Sequence, residues 1–82
     1  MVKVTFTGEF KEIFSKIKDD LLKEKIQKQI EKIKINSEVG KPMSYERKGT
    51  RELYIKPFRL SYVYIKLEEK IILLDLYHKK KQ

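Results

Sequence analysis

Hydrophobic residues alternate with polar residues at the start of the chain and then change to a helical spacing. Val2, Val4 and Phe6 occupy every second position, which predicts a strand over residues 2–6 with one buried face. Apolar residues then recur every three or four positions, first at 10, 13, 14 and 17 and later at 22, 26, 30 and 33. This spacing predicts two amphipathic helices, the second over residues 21–35. Their connection is short, so we expect them to pack as an antiparallel pair.

Three further strands are predicted after residues 36–49, which contain glycine and proline and indicate a long loop. The last predicted strand is almost wholly apolar except for Asp75, a pattern typical of a central strand covered on both faces. The order β-α-α-β-β-β predicts a single α+β domain over residues 1–82, with a small, mainly antiparallel twisted sheet and a helical hairpin packed on one face. The strands are expected at residues 50–56, 58–66 and 71–77.

Composition excludes several classes of site and favours a polyanionic partner. The chain has no cysteine and one histidine, so we expect no disulfide, no thiolate metal site and no cofactor. Twenty Lys and Arg against twelve Asp and Glu give a formal net charge of +8, which favours nucleic acid or an acidic protein as partner. The alternative is a compositional bias of the source organism toward lysine and glutamate. The sequence has no long apolar run and no signal-peptide pattern at its start, which predicts a cytoplasmic protein without a membrane span.

The second and third predicted strands carry the candidate binding groups. Arg59 alternates with Phe58 and Leu60, so it projects from the face opposite the apolar side chains. An arginine in the middle of a strand either pairs with a carboxylate, at Glu52 or Asp75, or offers a fork to a phosphate. Other side chains of the two strands and the loop supply further candidate RNA contacts. They are Tyr54, which either stacks on a base or packs in the sheet, and the cations Arg51, Lys56, Arg47 and Lys48.

The single histidine lies where the last predicted strand ends. His78 is followed by Lys79 and Lys80, and this segment is either a basic tail or a group held over the same sheet face as Arg59. In the second case His78 could exchange a proton near neutral pH, and the lysines would stabilise developing negative charge on a phosphate.

These segments together resemble the RelE/ParE superfamily of bacterial and archaeal type II toxins over nearly the whole chain. The residues VGKPM resemble the GKPL loop of the superfamily, and GTRELYIKPFRLSY resembles its GLxxLRxGxYRxxY segment. The residues LLDLYHKKKQ are similar to its GHRK-containing ending. The order of these segments matches the predicted order of elements.

The resemblance implies an mRNA endoribonuclease that acts in the ribosomal A site by transesterification and binds a small acidic RelB-like antitoxin in a hetero-oligomer. It implies that Arg59 stabilises the phosphate, that Lys79 is a second cation and that His78 transfers a proton. Glu52 is a candidate base, or it pairs with Arg59 and weakens it. Two features depart from the superfamily pattern: Glu52 and Tyr54 stand where ribosome-dependent members carry cations, and no tyrosine follows the terminal motif. The alternatives are a ParE-like inhibitor of DNA gyrase, a toxin that only binds its antitoxin, or a general nucleic-acid-binding module.

Overall fold

A mixed five-stranded sheet carries two helices on one of its faces. The computed structural model describes residues 2–45 and 48–78. The strand order is β1-β5-β4-β3-β2; β1 runs parallel to β5, and the other neighbours are antiparallel. None of the described helices is long and apolar enough to cross a membrane. The elements are β1 (Lys3–Phe6), α1 (Gly8–Lys16), α2 (Asp20–Ile35), β2 (Lys41–Pro42), β3 (Arg51–Ile55), β4 (Phe58–Ile65) and β5 (Lys70–His78).

The predicted α+β fold is confirmed, with one added strand. Residues 41 and 42 of the predicted long loop form β2, which pairs with β3 at the sheet edge. Periodicity could not reveal a strand of two residues, and Pro42 suits an edge because it has no backbone donor. The central position predicted for the last strand is also confirmed, since β5 lies between β1 and β4. The prediction that both its faces are covered is wrong for the described residues, because both helices contribute to one core cluster on the same side of the sheet.

Side-chain caps fix where each helix begins. The Thr7 hydroxyl accepts a hydrogen bond from the Phe10 amide at 3.1 Å and donates one to the Leu74 carbonyl at 2.7 Å. The Asp19 carboxylate accepts hydrogen bonds from the amides of Leu21 and Leu22. Both residues therefore satisfy amide donors that the first helical turn leaves unpaired, and Thr7 also ties the start of α1 to the central strand.

A bulge in β5 decides which of its side chains face the helices. Ser61 pairs with Asp75 but Tyr62 pairs with Leu73, so Leu74 is an extra residue on β5. An extra residue reverses the alternation of faces along a strand. Both Leu73 and Leu76 are consequently buried, although they are three positions apart. The core contains Phe10, Ile26, Ile33, Ile55, Leu60, Tyr62, Ile71, Leu73 and Leu76.

Candidate functional site on the open face of the sheet

The face of the sheet opposite the helices, called the open face below, carries two rows of polar side chains. Residues paired across neighbouring strands share a face and stand about 5 Å apart. Because strand neighbours two residues apart also share a face, the two rows lie side by side. From the strand pairing, the rows are Lys41, Glu52, Ser61 and Asp75, and beside them Tyr54, Arg59 and Tyr77.

Glu52 lies at the centre of the chemically active groups. Its side chain is buried, and it accepts a hydrogen bond from the Tyr77 hydroxyl at Oε2, at 2.5 Å. Its Oε1 atom is 3.5 Å from Nη1 of Arg59. A buried carboxylate needs such partners, because removing an unpaired charge from water is very unfavourable. Glu52, Arg59 and Tyr77 are called the open-face triad below.

The contact between Arg59 and Glu52 is long, and it leaves the guanidinium able to bind an anion. At 3.5 Å it lies beyond the usual range for a charged hydrogen bond. The Arg59 Nε atom is buried and has no hydrogen-bond partner among residues 2–45 and 48–78, while 30% of the side chain is exposed. Of the two carboxylates that the sequence offered, Arg59 contacts Glu52, whereas Oδ1 of Asp75 accepts a hydrogen bond from the Leu76 amide. The structure therefore contains the ion pair, and phosphate binding by Arg59 stays a prediction.

Tyr54 and Tyr77 flank Arg59 in the same row. The side chain of Tyr54 lies on β3 and is half exposed at 51%. Its assignment to RNA binding stays a prediction. The sequence does not identify Tyr77 as a site residue, because simple alternation from Ile71 and Leu73 would place it on the helix side. Only the bulge brings its hydroxyl to the open face.

His78 does not lie on the face of Arg59, and that part of the prediction is wrong. His78 pairs across the sheet with Phe58, and the two rings meet edge to face with centroids 5.6 Å apart. Phe58 packs against the core on the helix side. The reason is again the bulge, which exchanges the faces of His78 and Tyr77. Any part of His78 in proton transfer stays a prediction, without support from its position.

The remaining predicted RNA contacts are scattered. Arg51 projects to the helix side, where its Nη1 donates to the carbonyls of Glu38 at 3.0 Å and Gly40 at 2.8 Å. Its place on the same side of β3 as Leu53 agrees with alternation along the strand, and its assignment to RNA binding stays a prediction. Lys56 is exposed in the turn after β3, close to the start of α2, and Lys48 is exposed in the turn before β3. Arg47, Lys79 and Lys80 lie outside the described residues, so their assignments stay predictions.

The loop before β2 is fixed to the sheet by a buried tyrosine. The Tyr62 hydroxyl accepts a hydrogen bond from the Gly40 amide at 2.9 Å and donates one to the Ser37 carbonyl at 3.0 Å. Burial raises the pKa of Tyr62, so its hydroxyl stays protonated at neutral pH and can donate. A Cβ atom at position 40 would lie 2.7 Å from the Tyr62 hydroxyl oxygen. Glycine is therefore required at the residue that precedes Lys41.

Gly40→Ala and Tyr62→Phe should each lower the free energy of unfolding by about 1–3 kcal/mol. The first inserts a methyl group where the Tyr62 ring already lies, and the second leaves the Gly40 amide and the Ser37 carbonyl without their buried partner. Urea unfolding followed by circular dichroism measures both. Gly8→Ala is the matched control, since no atom lies within 4 Å of a Cβ at Gly8. A Gly40→Ala protein that unfolds at the same urea concentration as the wild type would contradict this packing.

Sequence comparison identifies the family. The model for the ParE toxin of the type II toxin–antitoxin system parDE matches residues 2–82. The chain therefore belongs to this family of toxins, within the RelE/ParE superfamily that its segments resemble. No curated protein sequence matches the chain.

Solved toxin structures share the fold. The YoeB/ParE toxin from Agrobacterium tumefaciens superimposes with a TM-score of 0.84 at 17% identity, over 94% of this chain and 98% of that one. A RelBE toxin–antitoxin complex from Mycobacterium tuberculosis gives a TM-score of 0.82 at 22% identity, over 95% and 98% of the two chains. The intact RelBE complex of E. coli gives 0.81 at 10% identity, over 95% and 96%. At these identities the likeness establishes the fold.

Proposed function

We propose that this toxin is a ribosome-dependent mRNA endoribonuclease whose site is the open face of the sheet. The observation that carries the proposal is the convergence of a carboxylate, a guanidinium and a phenol in the open-face triad, at 2.5 and 3.5 Å from Glu52. Transesterification of RNA needs a proton acceptor, a charge stabiliser and a proton donor, and the triad contains one group of each kind. The +8 net charge favours a polyanionic substrate.

Arg59 is the group that binds the reacting phosphate. Its contact with Glu52 is weak at 3.5 Å, so a phosphate can draw the guanidinium away without a large loss. The arginine fork then binds two phosphate oxygens, and it stabilises the extra negative charge that develops as the 2′-oxygen attacks phosphorus. Moving Arg59 also breaks its contact with Oε1 of Glu52.

Glu52 and Tyr77 move the protons. The 2′-oxygen forms a bond to phosphorus while its proton passes to Oε1 of Glu52. The bond from phosphorus to the 5′-oxygen breaks, and that oxygen takes the proton of the Tyr77 hydroxyl. The hydrogen bond between Tyr77 and Glu52 lets the carboxylic acid return a proton to the phenolate, so the resting state is restored. The products carry a 2′,3′-cyclic phosphate and a 5′-hydroxyl. His78 has no part in this scheme.

We also propose that an acidic, RelB-like antitoxin binds this chain in a hetero-oligomer. Two of the three structural relatives named above are complexes of a toxin with its antitoxin. The net charge of +8 favours an acidic partner, and a segment that folds on binding can cover a large basic surface. Such a segment would silence the toxin by covering Arg59.

The proposed function predicts growth arrest on expression, with mRNA cut within translated regions. Purified protein added to ribosomes with a bound mRNA should produce fragments ending in 2′,3′-cyclic phosphate and 5′-hydroxyl, identified by mass spectrometry. The same mRNA without ribosomes should be cut much more slowly. Intact mRNA in arrested cells and in the reconstituted reaction would refute the nuclease assignment.

A second candidate function, inhibition of DNA gyrase, is favoured by two observations. The matching family model is that of ParE toxins, and Glu52 and Tyr54 occupy the open-face positions on β3 where cations were expected. A carboxylate so close to Arg59 offsets its charge. Growth arrest with intact mRNA and gyrase-dependent DNA breaks would support this alternative.

A further inference from the structure

The loop before β2 places beside the open-face triad a lysine that is not among the predicted RNA contacts. Lys41 pairs across the sheet with Glu52, so their side chains share the open face. Lys41 is exposed, and it lies on the side of Glu52 away from Arg59, because β3 separates β2 from β4. We propose that Lys41 is a substrate-binding residue that contacts an RNA phosphate next to the one bound by Arg59. This proposal rests on the proposed function.

The spacing of the strands assigns Lys41 and Arg59 to different phosphates. Strands β2 and β4 are two inter-strand steps apart, which is about 10 Å. The two cations therefore approach the RNA backbone from opposite sides of Glu52. The same rows also contain the carboxylates of Glu52 and Asp75, which repel a polyanion. A second cation beside Glu52 offsets that repulsion where the RNA must approach.

The position of Lys41 is fixed by side chains that project to the helix side. The residue before it is anchored through its amide to Tyr62 and through its carbonyl to Arg51. Arg51 is also the β3 partner of Pro42, the residue after Lys41. The backbone on both sides of Lys41 is therefore restrained, whereas its side chain is exposed. Tyr62 is a positioning residue in this arrangement, since it acts on the substrate only through Lys41.

A purely structural role for Lys41 is the competing explanation. Strand β2 lies at the sheet edge, and a lysine on an edge strand discourages pairing with another chain. The two roles differ in their effect on RNA, because an edge charge does not contribute a specific phosphate contact.

Lys41→Met tests the assignment, with Lys25→Met as the matched control. Both remove one positive charge, but Lys25 is exposed on α2, on the opposite side of the sheet. In the ribosome cleavage assay, Lys41→Met should raise KM about tenfold with kcat within about twofold of wild type. The binding constant for a labelled single-stranded oligoribonucleotide should also be measured at several KCl concentrations. In Lys41→Met the slope of its logarithm against the logarithm of the KCl concentration should be smaller in magnitude by about 0.7. Lys25→Met should match the wild type in KM.

The double variant Lys41→Met/Tyr62→Phe separates the effect of Tyr62 on the position of Lys41 from its effect on stability. Tyr62→Phe alone should raise KM, because a loosened loop no longer holds Lys41 beside Glu52. In the Lys41→Met background it should leave KM unchanged, since the group that it positions is gone. Equal KM values for Lys41→Met and Lys25→Met would overturn the proposal, and so would a loss confined to kcat. A wild-type protein that cuts no mRNA refutes the proposed function instead, and the salt titration still tests Lys41 in that case.

Discussion

Arg59→Ala should reduce kcat for mRNA cleavage by about 10²–10³-fold, the usual loss when one preorganised donor to a developing anion is removed. Expression of this variant should no longer arrest growth. Arg59→Lys keeps the charge but not the planar fork, so it should recover only part of the activity. The measurement is single-turnover cleavage of a ribosome-bound mRNA, which isolates the chemical step from product release.

His78→Gln provides the comparison that locates the site. The ring of His78 lies against Phe58 on the helix side of the sheet, so its replacement by glutamine should alter kcat by less than about threefold. Circular dichroism and urea unfolding of both variants exclude loss of the fold as the cause. If His78→Gln were as damaging as Arg59→Ala, the active groups would not be confined to the open face.

Glu52→Gln should lower kcat by about 10²–10⁴-fold, because it removes the proton acceptor. The same change removes the negative charge beside Arg59, so KM should fall or stay constant while kcat collapses. The opposite interpretation of Glu52, as a group that only weakens Arg59, predicts a more active variant. Steady-state kinetics with separate kcat and KM values therefore distinguishes the two roles in one experiment.

The side-chain amide that Glu52→Gln introduces can still accept a hydrogen bond from the Tyr77 hydroxyl, which limits the structural effect of this substitution. Glu52→Asp serves as the companion variant, since it keeps the carboxylate but shortens its reach. A Glu52→Gln protein with wild-type kcat would contradict the assignment of Glu52 as the base.

Strict alternation made most of β3 and β4 predictable from the sequence. Alternation predicts Arg59 on the face opposite Leu60 and Tyr62, and β4 itself has no extra residue that would change this. The same argument placed Glu52 and Tyr54 together on β3, and the strand pairing agrees. What alternation could not decide was whether Arg59 pairs with Glu52, because that depends on rotamers and distances.

The hydrophobic pattern of the last strand does not predict correctly which face of the sheet each of its side chains occupies. Its residues are apolar on both sides of the bulge, so hydrophobicity alone does not reveal the extra residue at Leu74. The consequence is an exchange of Tyr77 for His78 at the site. The sequence shows the glycine of the GKPM segment only as part of a family resemblance, whereas its physical cause is the close contact of Gly40 with Tyr62.

The position of β5 in the sheet has a consequence for the order in which the protein can assemble during synthesis. Although β5 comes last of the five strands along the chain, it lies between β1 and β4 and pairs with both. Until residues 70–78 have been made, β1 has no strand to pair with, and the growing chain carries only the β2-β3-β4 portion of the sheet. Pairing between residues so far apart in sequence is also a slow step in folding. Glu52 and Arg59 therefore exist in the nascent chain before Tyr77 joins them, so the open-face triad is complete only after the last strand has been made.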